Sequence, residues 1–464
     1  MPPLIEKMNF PNPRSSALRY LLLAAACHIA LTITIFLIGH FQLFPGTFDR
    51  NGIGLTFAID GTSYQALASR MVSEWENNGF DAWLQMKSPL HCRLYSLAFA
   101  TFGKLLGHNI LAAEPLNLFY YLGILTCVYI LGREVFNAHT GLLAASIAGV
   151  WPSFLLHSTQ LIRDPLSILC FLALMVVSIL LLSRDFHWRQ ALGIGFGGAI
   201  VVTLLWVARG NMWNIVLVAV VLTLAMLAYR MIRERKLLVG NAAVMLLILL
   251  VALLVPTRLE STTLVGSRVP VTPLAIPSSD QPARSESIWT SALRQFAERR
   301  DGFRFYKARA SDLDTDVRFR SAGDIVRFVP RAAMIGFFAP FPRMWVQRGT
   351  FGLTVRLLSG VEMLAMYLLY FAVAYCLWRE RRNSKMWLLF LVAAIGVVAL
   401  GLVVVNAGAL YRIRYVFWMM LIVIGSNGFY LTVRRTNSTK SRTSSSLVSN
   451  DAINRTSEIS SFQT

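Results

Sequence analysis

Long apolar runs recur along the whole chain, and they constrain its fold more than any other feature. A helix needs roughly 17 to 25 residues to cross a hydrocarbon core of about 30 Å. The runs lack the apolar/polar alternation that a β-barrel requires. We therefore expect an all-α polytopic membrane protein with ten transmembrane helices, at 20–38, 116–132, 141–156, 165–182, 191–208, 212–229, 237–255, 357–378, 386–405 and 415–433.

The composition agrees with this class. Hydrophobic residues make up 55% of the chain and charged residues 15%, whereas a soluble domain has about a quarter charged residues. The net charge of +20 is concentrated in short segments between the runs, RMIRERK at 230–236, RERRNSK at 379–385 and RR at 434–435. Positive residues in short loops are typical of the cytoplasmic side. This distribution accounts for the charge, and we expect no nucleic-acid partner.

Two further apolar segments, 91–107 and 331–348, are predicted to be interfacial helices on the outer face. Counting 91–107 as a crossing would place all the basic clusters outside, against the positive-inside rule. A helix lying in the membrane plane avoids this conflict. Both termini are then cytoplasmic, and the ten spans keep the order given above.

This topology divides the chain into regions. The first outer loop, 45–108, belongs to the transmembrane module, and the final region is a serine-rich tail that we expect to be disordered. The regions are a cytoplasmic N-terminus at 1–19, the transmembrane module at 20–256, an outer loop with an interfacial helix at 257–352, C-terminal transmembrane helices at 353–433 and the tail at 434–464.

Several arginines lie at the predicted outer ends of spans, where the positive-inside rule does not expect them. They are Arg163, Arg209, Arg412 and Arg414. Each one alone can be explained by snorkelling into the lipid headgroups, and this alternative stays open. Several on one face indicate an anionic ligand, because guanidinium groups bind phosphate bidentately.

Two carboxylates belong to the same predicted face. Asp60 heads the amphipathic stretch FAIDGTSYQALASRM at 57–71, and Asp164 follows Arg163 at the start of the fourth span. Both have a structural interpretation as well. Asp is a favoured N-cap, and Asp164 precedes Pro165, which is typical of a first helical turn. The pattern alone leaves capping and catalysis open.

The order of motifs from 57 to 182 resembles the conserved module of the GT-C membrane glycosyltransferases, which include protein O-mannosyltransferases and the aminoarabinose transferases of lipid A. Their carboxylate pattern, Asp-x-x-x-Tyr-x-x-Leu-Ala, is matched by Asp60, Tyr64, Leu67 and Ala68. KSPLHCRLYSLAFATFGKLLGHN is similar to their Lys-Pro-Pro-Leu motif with one proline lost. LGREVFNAHTGLLAASIAGVWPSFLLHSTQLIRDPLSI is the most similar segment, and NAGALYRIRY resembles the arginine motif of bacterial members.

The resemblance implies a GT-C-like fold and an inverting transfer of a sugar from a polyprenyl-phosphate carrier to a lipid, glycan or protein acceptor. The reaction would take place on the periplasmic face of a bacterial inner membrane. Asp60 would be the catalytic base and Asp164 a second active-site carboxylate. The substrate-binding residues that it implies are Tyr64, Lys87, Arg163, Arg209, Arg412 and Arg414.

The resemblance leaves a divalent metal as an option that the sequence argues against. The residue before the family lysine, which is acidic and associated with metal in some members, is Met86 here. An arginine common near the start of the following span is replaced by Glu114. We therefore assign no definite cofactor and keep a divalent metal as the less favoured option.

Two other functions fit a polytopic chain with external arginines. An O-antigen-type polysaccharide polymerase or ligase also has a large external loop, but it does not need the Asp60 module. A lipid or oligosaccharide transporter would show paired repeats and charged residues near the bilayer midplane. Here the ionisable residues lie at the outer boundary. The sequence does not reveal the sugar, the acceptor or the length of the carrier.

Overall fold

The computed structural model describes residues 13–45, 55, 58, 60–259, 296–303, 311–346 and 352–435. Most of these residues are helical, and the described ranges contain no β-strand; an isolated antiparallel bridge pairs Asp312 with Asn406. The predicted all-α class is therefore confirmed for this part of the chain. Most of the predicted N-terminal region, the start of the outer loop at 257–352 and the predicted disordered tail from 436 lie outside the described residues.

Most neighbouring helices within the described ranges follow one another through short turns. Residues 296–303 are also helical. In chain order the others are α1 (Pro13–His40), α2 (Asp60–Asn78), α3 (Phe80–Gln85), α4 (Leu90–Leu106), α5 (Ile110–Val135), α6 (Ala138–Gly149), α7 (Pro152–Ser158), α8 (Asp164–Ser183), α9 (Trp188–Arg209), α10 (Trp213–Glu234), α11 (Val239–Arg258), α12 (Ala322–Phe338), α13 (Pro342–Trp345), α14 (Gly352–Arg379), α15 (Ser384–Val403), α16 (Ala407–Ile413) and α17 (Tyr415–Arg435).

Many of these helices have the length and composition of membrane spans. This supports the polytopic membrane class that the sequence predicts. Within the described ranges, eight are long and apolar enough to cross, namely Ser16–His40, Ile110–Val135, Asp164–Ser183, Trp188–Glu234, Val239–Arg258, Leu353–Arg379, Ser384–Val403 and Tyr415–Arg435.

The third predicted span, 141–156, is not one helix. α6 and α7 meet at an angle of 69°, and the pair passes the test for a span only when both halves are counted together. The break lies at Trp151 and Pro152, where Trp151 has extended backbone angles. Proline disfavours the helical conformation of the residue before it and has no N–H to donate. Pro152 therefore begins a new helix instead of continuing α6.

The 47-residue stretch Trp188–Glu234 folds back on itself. A 3₁₀ turn at Gly210–Met212 separates α9 from α10. Arg230, near the end of α10, contacts Asp185 at 2.6 Å, and Asp185 lies just before the start of α9. The two far ends of the stretch thus meet, so α9 and α10 are antiparallel neighbours.

Polar contacts show which helix ends lie together at each end of the bundle. Oε1 of Glu134 lies 2.7 Å from Arg184, and Lys385 donates to the carbonyl of Glu134 at 2.6 Å. These contacts gather the ends of α5 and α8 and the start of α15. Asp164 begins α8, so it lies at the opposite end, about 30 Å away along a helix of 20 residues.

A buried polar network joins α1 to α5. Glu114 accepts a hydrogen bond from Thr32 at 2.7 Å and lies 2.8 Å from Nδ1 of His28. The other ring nitrogen of His28 is 3.0 Å from the hydroxyl of Ser158. These partners show why a carboxylate fits at Glu114. Buried polar groups of this kind need such partners.

The two segments predicted to be interfacial correspond to α4 and to α12 with α13. α4 has 17 residues and buries Tyr95 and Phe99. α12 packs closely on α15, because a Cβ at Gly401 would overlap the backbone of Ala332. Neither helix is among the candidate spans. Their position in the membrane interface stays a prediction.

The two ends of the bundle can be tested by labelling. In a background without native cysteines, Arg233→Cys and Arg382→Cys are expected to react from the same side of the membrane with an impermeant maleimide. Arg233 follows Arg230, and Arg382 precedes Asn383, which donates to the carbonyl of Val135 at 3.0 Å. Asn211→Cys, at the opposite end, should react only from the other side. Labelling of Arg233→Cys and Asn211→Cys from one side would contradict this topology.

Candidate functional site

The centre of the candidate site is Asp164, the first residue of α8. Its side chain is 3% exposed and forms a short ion pair with Arg209, which is 4% exposed and ends α9. Arg209 also donates to the hydroxyl of Ser167 at 3.3 Å. An acidic residue at a helix N-terminus and a basic residue at a C-terminus both complement the helix dipoles. The two helix ends are thereby fixed to each other.

Arg412, on the short helix α16, connects Asp164 to Asp60. It donates from NH2 to Oδ2 of Asp60 at 2.8 Å. Its Nε lies 3.3 Å from Oδ2 of Asp164, close enough for an ion pair but without hydrogen-bond geometry. The Asp60 side chain is 44% exposed, against 17% for Arg412. Asp60 is therefore the accessible carboxylate of the cluster.

The charge of Arg412 is stabilised by its neighbours. Burial disfavours the guanidinium cation, but Asp164 and Asp60 outweigh burial and raise the pKa of Arg412 above its usual value. Arg412 is therefore a permanent cation. It stands between a buried and an accessible carboxylate.

α16 is fixed at its start by Asn406. The Asn406 side chain accepts from the backbone N–H groups of Gly408 at 3.0 Å and Ala409 at 3.1 Å, as an N-cap does. It also donates to the hydroxyl of Ser311 at 3.0 Å and to Asp312 at 3.1 Å. The outer-loop residues around 311–312 thus hold the helix that carries Arg412.

Glu362, in the middle of α14, holds α16 from another side. It accepts from the backbone N–H of Ser153 at 2.6 Å, from the Ser153 hydroxyl at 2.5 Å and, through a short bond, from the Tyr411 hydroxyl. A carboxylate inside an apolar run signals a function or a specific partner. The sequence carries that signal but does not identify the partners, which the structure shows to be Ser153 and Tyr411, the residue before Arg412.

Arg414 faces away from the two carboxylates. It is fully buried and donates to the carbonyl of Gly336 at 2.8 Å, and its guanidinium lies 4.0 Å from the ring centroid of Trp418. Burial lowers the pKa of Arg414 to about 10, so it remains charged at neutral pH. These contacts are typical of a structural arginine. The phosphate-binding role that the resemblance implies for Arg414 stays a prediction.

Tyr64 and Arg163 belong to the surroundings of Asp60. Tyr64 lies one helical turn after Asp60 on α2, and its ring meets that of His91 with centroids 4.3 Å apart. Burial raises the pKa of the Tyr64 hydroxyl, and the nearby charge of Arg163 partly offsets this. Arg163 is partly buried and precedes Asp164. Both residues are thus near the carboxylates, as the sequence predicts.

Lys87 lies in the turn between α3 and α4. It is exposed and forms no ion pair with any residue of the described ranges. The turn itself is well held, because Arg93 donates to the carbonyls of Leu84 at 3.1 Å and Met86 at 2.5 Å. A lysine on a fixed turn can reach an anion, but the structure does not bring Lys87 into contact with the carboxylate cluster.

The cluster does not fit a divalent cation. Within the described ranges, no three His, Cys, Asp or Glu side chains are grouped so as to hold a metal ion. The carboxylates of Asp60 and Asp164 instead contact Arg209 and Arg412. Guanidinium groups at these oxygens compete with a metal ion. The arrangement suits an anion that approaches Arg412.

Comparisons of the chain with models of protein families, with curated proteins and with solved structures find no match. The site therefore has to be interpreted from its own contacts. These contacts join Asp60, Asp164, Arg209 and Arg412 directly and bring Tyr64 and Arg163 close to them.

Asp164 is expected to be essential for stability. Asp164→Asn leaves the buried cation of Arg209 without its counter-charge, and breaking a buried pair in this way costs about 3–5 kcal/mol. The thermal midpoint of the detergent-purified protein should fall clearly. Asp185→Asn is the matched control, because Asp185 pairs with Arg230 but is 52% exposed, and exposed pairs contribute about 0–1 kcal/mol. Equal midpoints for the two variants would contradict this assignment.

Proposed function

We propose that the chain is a GT-C-like inverting glycosyltransferase. It transfers a sugar from a polyprenyl-phosphate carrier to a hydroxyl of a lipid, glycan or protein acceptor at the extracytoplasmic face of the membrane. The observation that carries the proposal is the position of Arg412 between the accessible Asp60 and the buried Asp164. A base and a phosphate-binding cation are then adjacent at one end of the bundle.

The proposed topology has ten crossings with both termini in the cytoplasm. It counts α9 and α10 separately, because they are antiparallel, and counts the bent pair α6 and α7 as one span. The basic loops around Arg230 and Lys385 then face the cytoplasm. Asp60, Asp164 and Arg412 face the periplasm of a bacterial inner membrane, where a lipid-linked sugar donor would meet them.

The proposed chemistry is a single displacement at the anomeric carbon. The acceptor oxygen forms a bond to this carbon while the bond to the phosphate oxygen breaks, and the phosphate leaves with the electron pair. Asp60 takes the proton of the acceptor hydroxyl. A general base must lie within hydrogen-bond reach of that proton, and Asp60 is the more exposed of the two carboxylates.

Arg412 stabilises the leaving phosphate. Negative charge develops on this group in the transition state, and a positioned cation lowers the barrier selectively. Arg163 and Lys87 are the further cations that the motif places near the carrier phosphate. Asp164 and Arg209 hold Arg412 in position, so we assign Asp164 a positioning role and not that of a second base.

Asp60 and the carrier phosphate share one partner in this mechanism. In the structure Asp60 accepts from NH2 of Arg412, and a guanidinium binds phosphate through the same kind of N–H fork. A phosphate at Arg412 therefore competes with Asp60 for this donor. Binding of the carrier releases the carboxylate that the acceptor needs.

Asp60→Asn is expected to lower the rate of sugar transfer by about a hundredfold or more, the scale for loss of a general base. The thermal midpoint should fall much less than in Asp164→Asn, because Asp60 is 44% exposed and exposed ion pairs contribute only about 0–1 kcal/mol. Transfer is measured with purified protein and polyprenyl-phosphate-linked sugars. Asp81→Asn, an exposed carboxylate on α3, is the control and should be neutral. Wild-type turnover in Asp60→Asn would end the assignment of the base and favour a polymerase or ligase.

Arg412→Ala is expected to reduce transfer at least tenfold, equivalent to about 1.4 kcal/mol. Arg412→Lys should restore little activity, because an ammonium group cannot reproduce the bidentate fork. The loss should appear for every acceptor tested, since the defect concerns the donor. Arg331→Ala serves as the control, because Arg331 pairs with Asp314 at 2.8 Å and is 44% exposed. Equal activities of the Arg412 and Arg331 variants would assign Arg412 to a structural role.

A further inference from the structure

His91 is a buried histidine whose ring nitrogens have no hydrogen-bond partner in the described ranges. It lies in the first turn of α4 and is 2% exposed. Native proteins pair nearly all buried polar side-chain atoms, and an exception calls for an explanation. In the sequence His91 has no partner at a metal-ligand spacing, so the pattern alone assigns it no role.

The surroundings of His91 are those of the candidate site. The rings of His91 and Tyr64 are in a T-shaped contact with their centroids 4.3 Å apart. Tyr64 lies one helical turn after Asp60 on α2. Burial, aided by the charge of Arg163, lowers the pKa of His91 to about 3. The imidazole is therefore neutral at physiological pH. A neutral imidazole offers one N–H donor and one nitrogen acceptor.

Ser88, three residues before His91 in the turn between α3 and α4, provides a second unpartnered polar group. It is 9% exposed, and its hydroxyl has no hydrogen-bond partner in the described ranges. The turn is rigid, because Arg93 donates to the carbonyls of Leu84 and Met86, and the indole of Trp83 donates to the Ser96 hydroxyl at 2.8 Å. Ser88 and His91 thus belong to a segment that these hydrogen bonds hold in place.

We propose that His91, Ser88 and Tyr64 form a neutral subsite that binds hydroxyl groups of the transferred sugar beside Asp60. This inference rests on the proposed function. A sugar is uncharged and rich in hydroxyls, so it is recognised by neutral groups that donate and accept, together with an aromatic ring. The charged part of the site, with Arg412, serves the phosphate.

A purely structural role for His91 makes a different prediction. If His91 only packs against Tyr64, then His91→Phe preserves the ring contact and has no effect on ligands. Replacing an unpaired buried polar group by an apolar one of similar shape is neutral or stabilising. The subsite predicts instead that His91→Phe keeps or raises the thermal midpoint but loses affinity for the sugar.

The experiment measures binding with three short-chain probes, which are farnesyl phosphate, farnesyl phosphate linked to a hexose and farnesyl phosphate linked to a pentose. Binding to purified wild-type protein should be tighter for at least one sugar-linked probe than for farnesyl phosphate. His91→Phe should bind that probe about threefold to tenfold more weakly and bind farnesyl phosphate as the wild type does. His91→Gln, which keeps a donor and an acceptor, should recover part of the affinity.

The matched control is His108→Phe. His108 stacks on Phe99 with centroids 5.1 Å apart, at the other end of α4, so its replacement should leave both affinities unchanged. Sugar-linked probes that bind His91→Phe as they bind the wild type would overturn the subsite while leaving the proposed function intact. The subsite is also overturned if the wild-type protein binds neither sugar-linked probe more tightly than it binds farnesyl phosphate. If the wild-type protein binds none of the three probes, the proposed function is overturned and the subsite with it.

Discussion

The buried ion pair of Asp164 with Arg209 organises the end of the bundle on which the site is built. Asp164 begins α8 and Arg209 ends α9, so one contact fixes the start of one apolar helix to the end of the next. Coulomb interactions are strong where water is excluded, and a lone charge there would be costly. Arg412 adds a third helix to this contact. These three side chains therefore connect α8, α9 and α16 at this end of the bundle.

The supports of α16 explain how a helix of only seven residues can place Arg412 accurately. Asn406 caps its start, Glu362 accepts from Tyr411, and Arg414 after its end is held by Gly336 and Trp418. Hydrogen bonds between buried polar groups restrict a segment to one arrangement. The helix is therefore fixed at both ends. Arg412 is the member of this segment whose guanidinium reaches the accessible Asp60.

The sequence predicts the helical class, the spans and the acidic and basic residues at the outer boundary, because apolar length and charge placement follow directly from the membrane. It does not distinguish Arg412 from Arg414. These residues are two apart, which turns their side chains by about 200° around a helix, and only one can face Asp60. Glu362 is visible as a carboxylate in an apolar run, but its partner Ser153 is 209 positions away. The single helix predicted at 141–156 is wrong. The run is continuously apolar, but Pro152 begins a new helix there.

Charged and neutral side chains adjoin along α2 and its neighbours. Asp60 faces the charged group of Arg412 and Asp164, whereas Tyr64, one turn later, faces the neutral His91. A lipid-linked sugar has the same division, with a charged phosphate bonded to a neutral polyol. In the proposed reaction the bond that breaks joins these two parts, so the anomeric carbon must lie between them. Asp60 occupies that boundary. An acceptor hydroxyl that reaches the anomeric carbon therefore meets the carboxylate as the phosphate takes its place on Arg412.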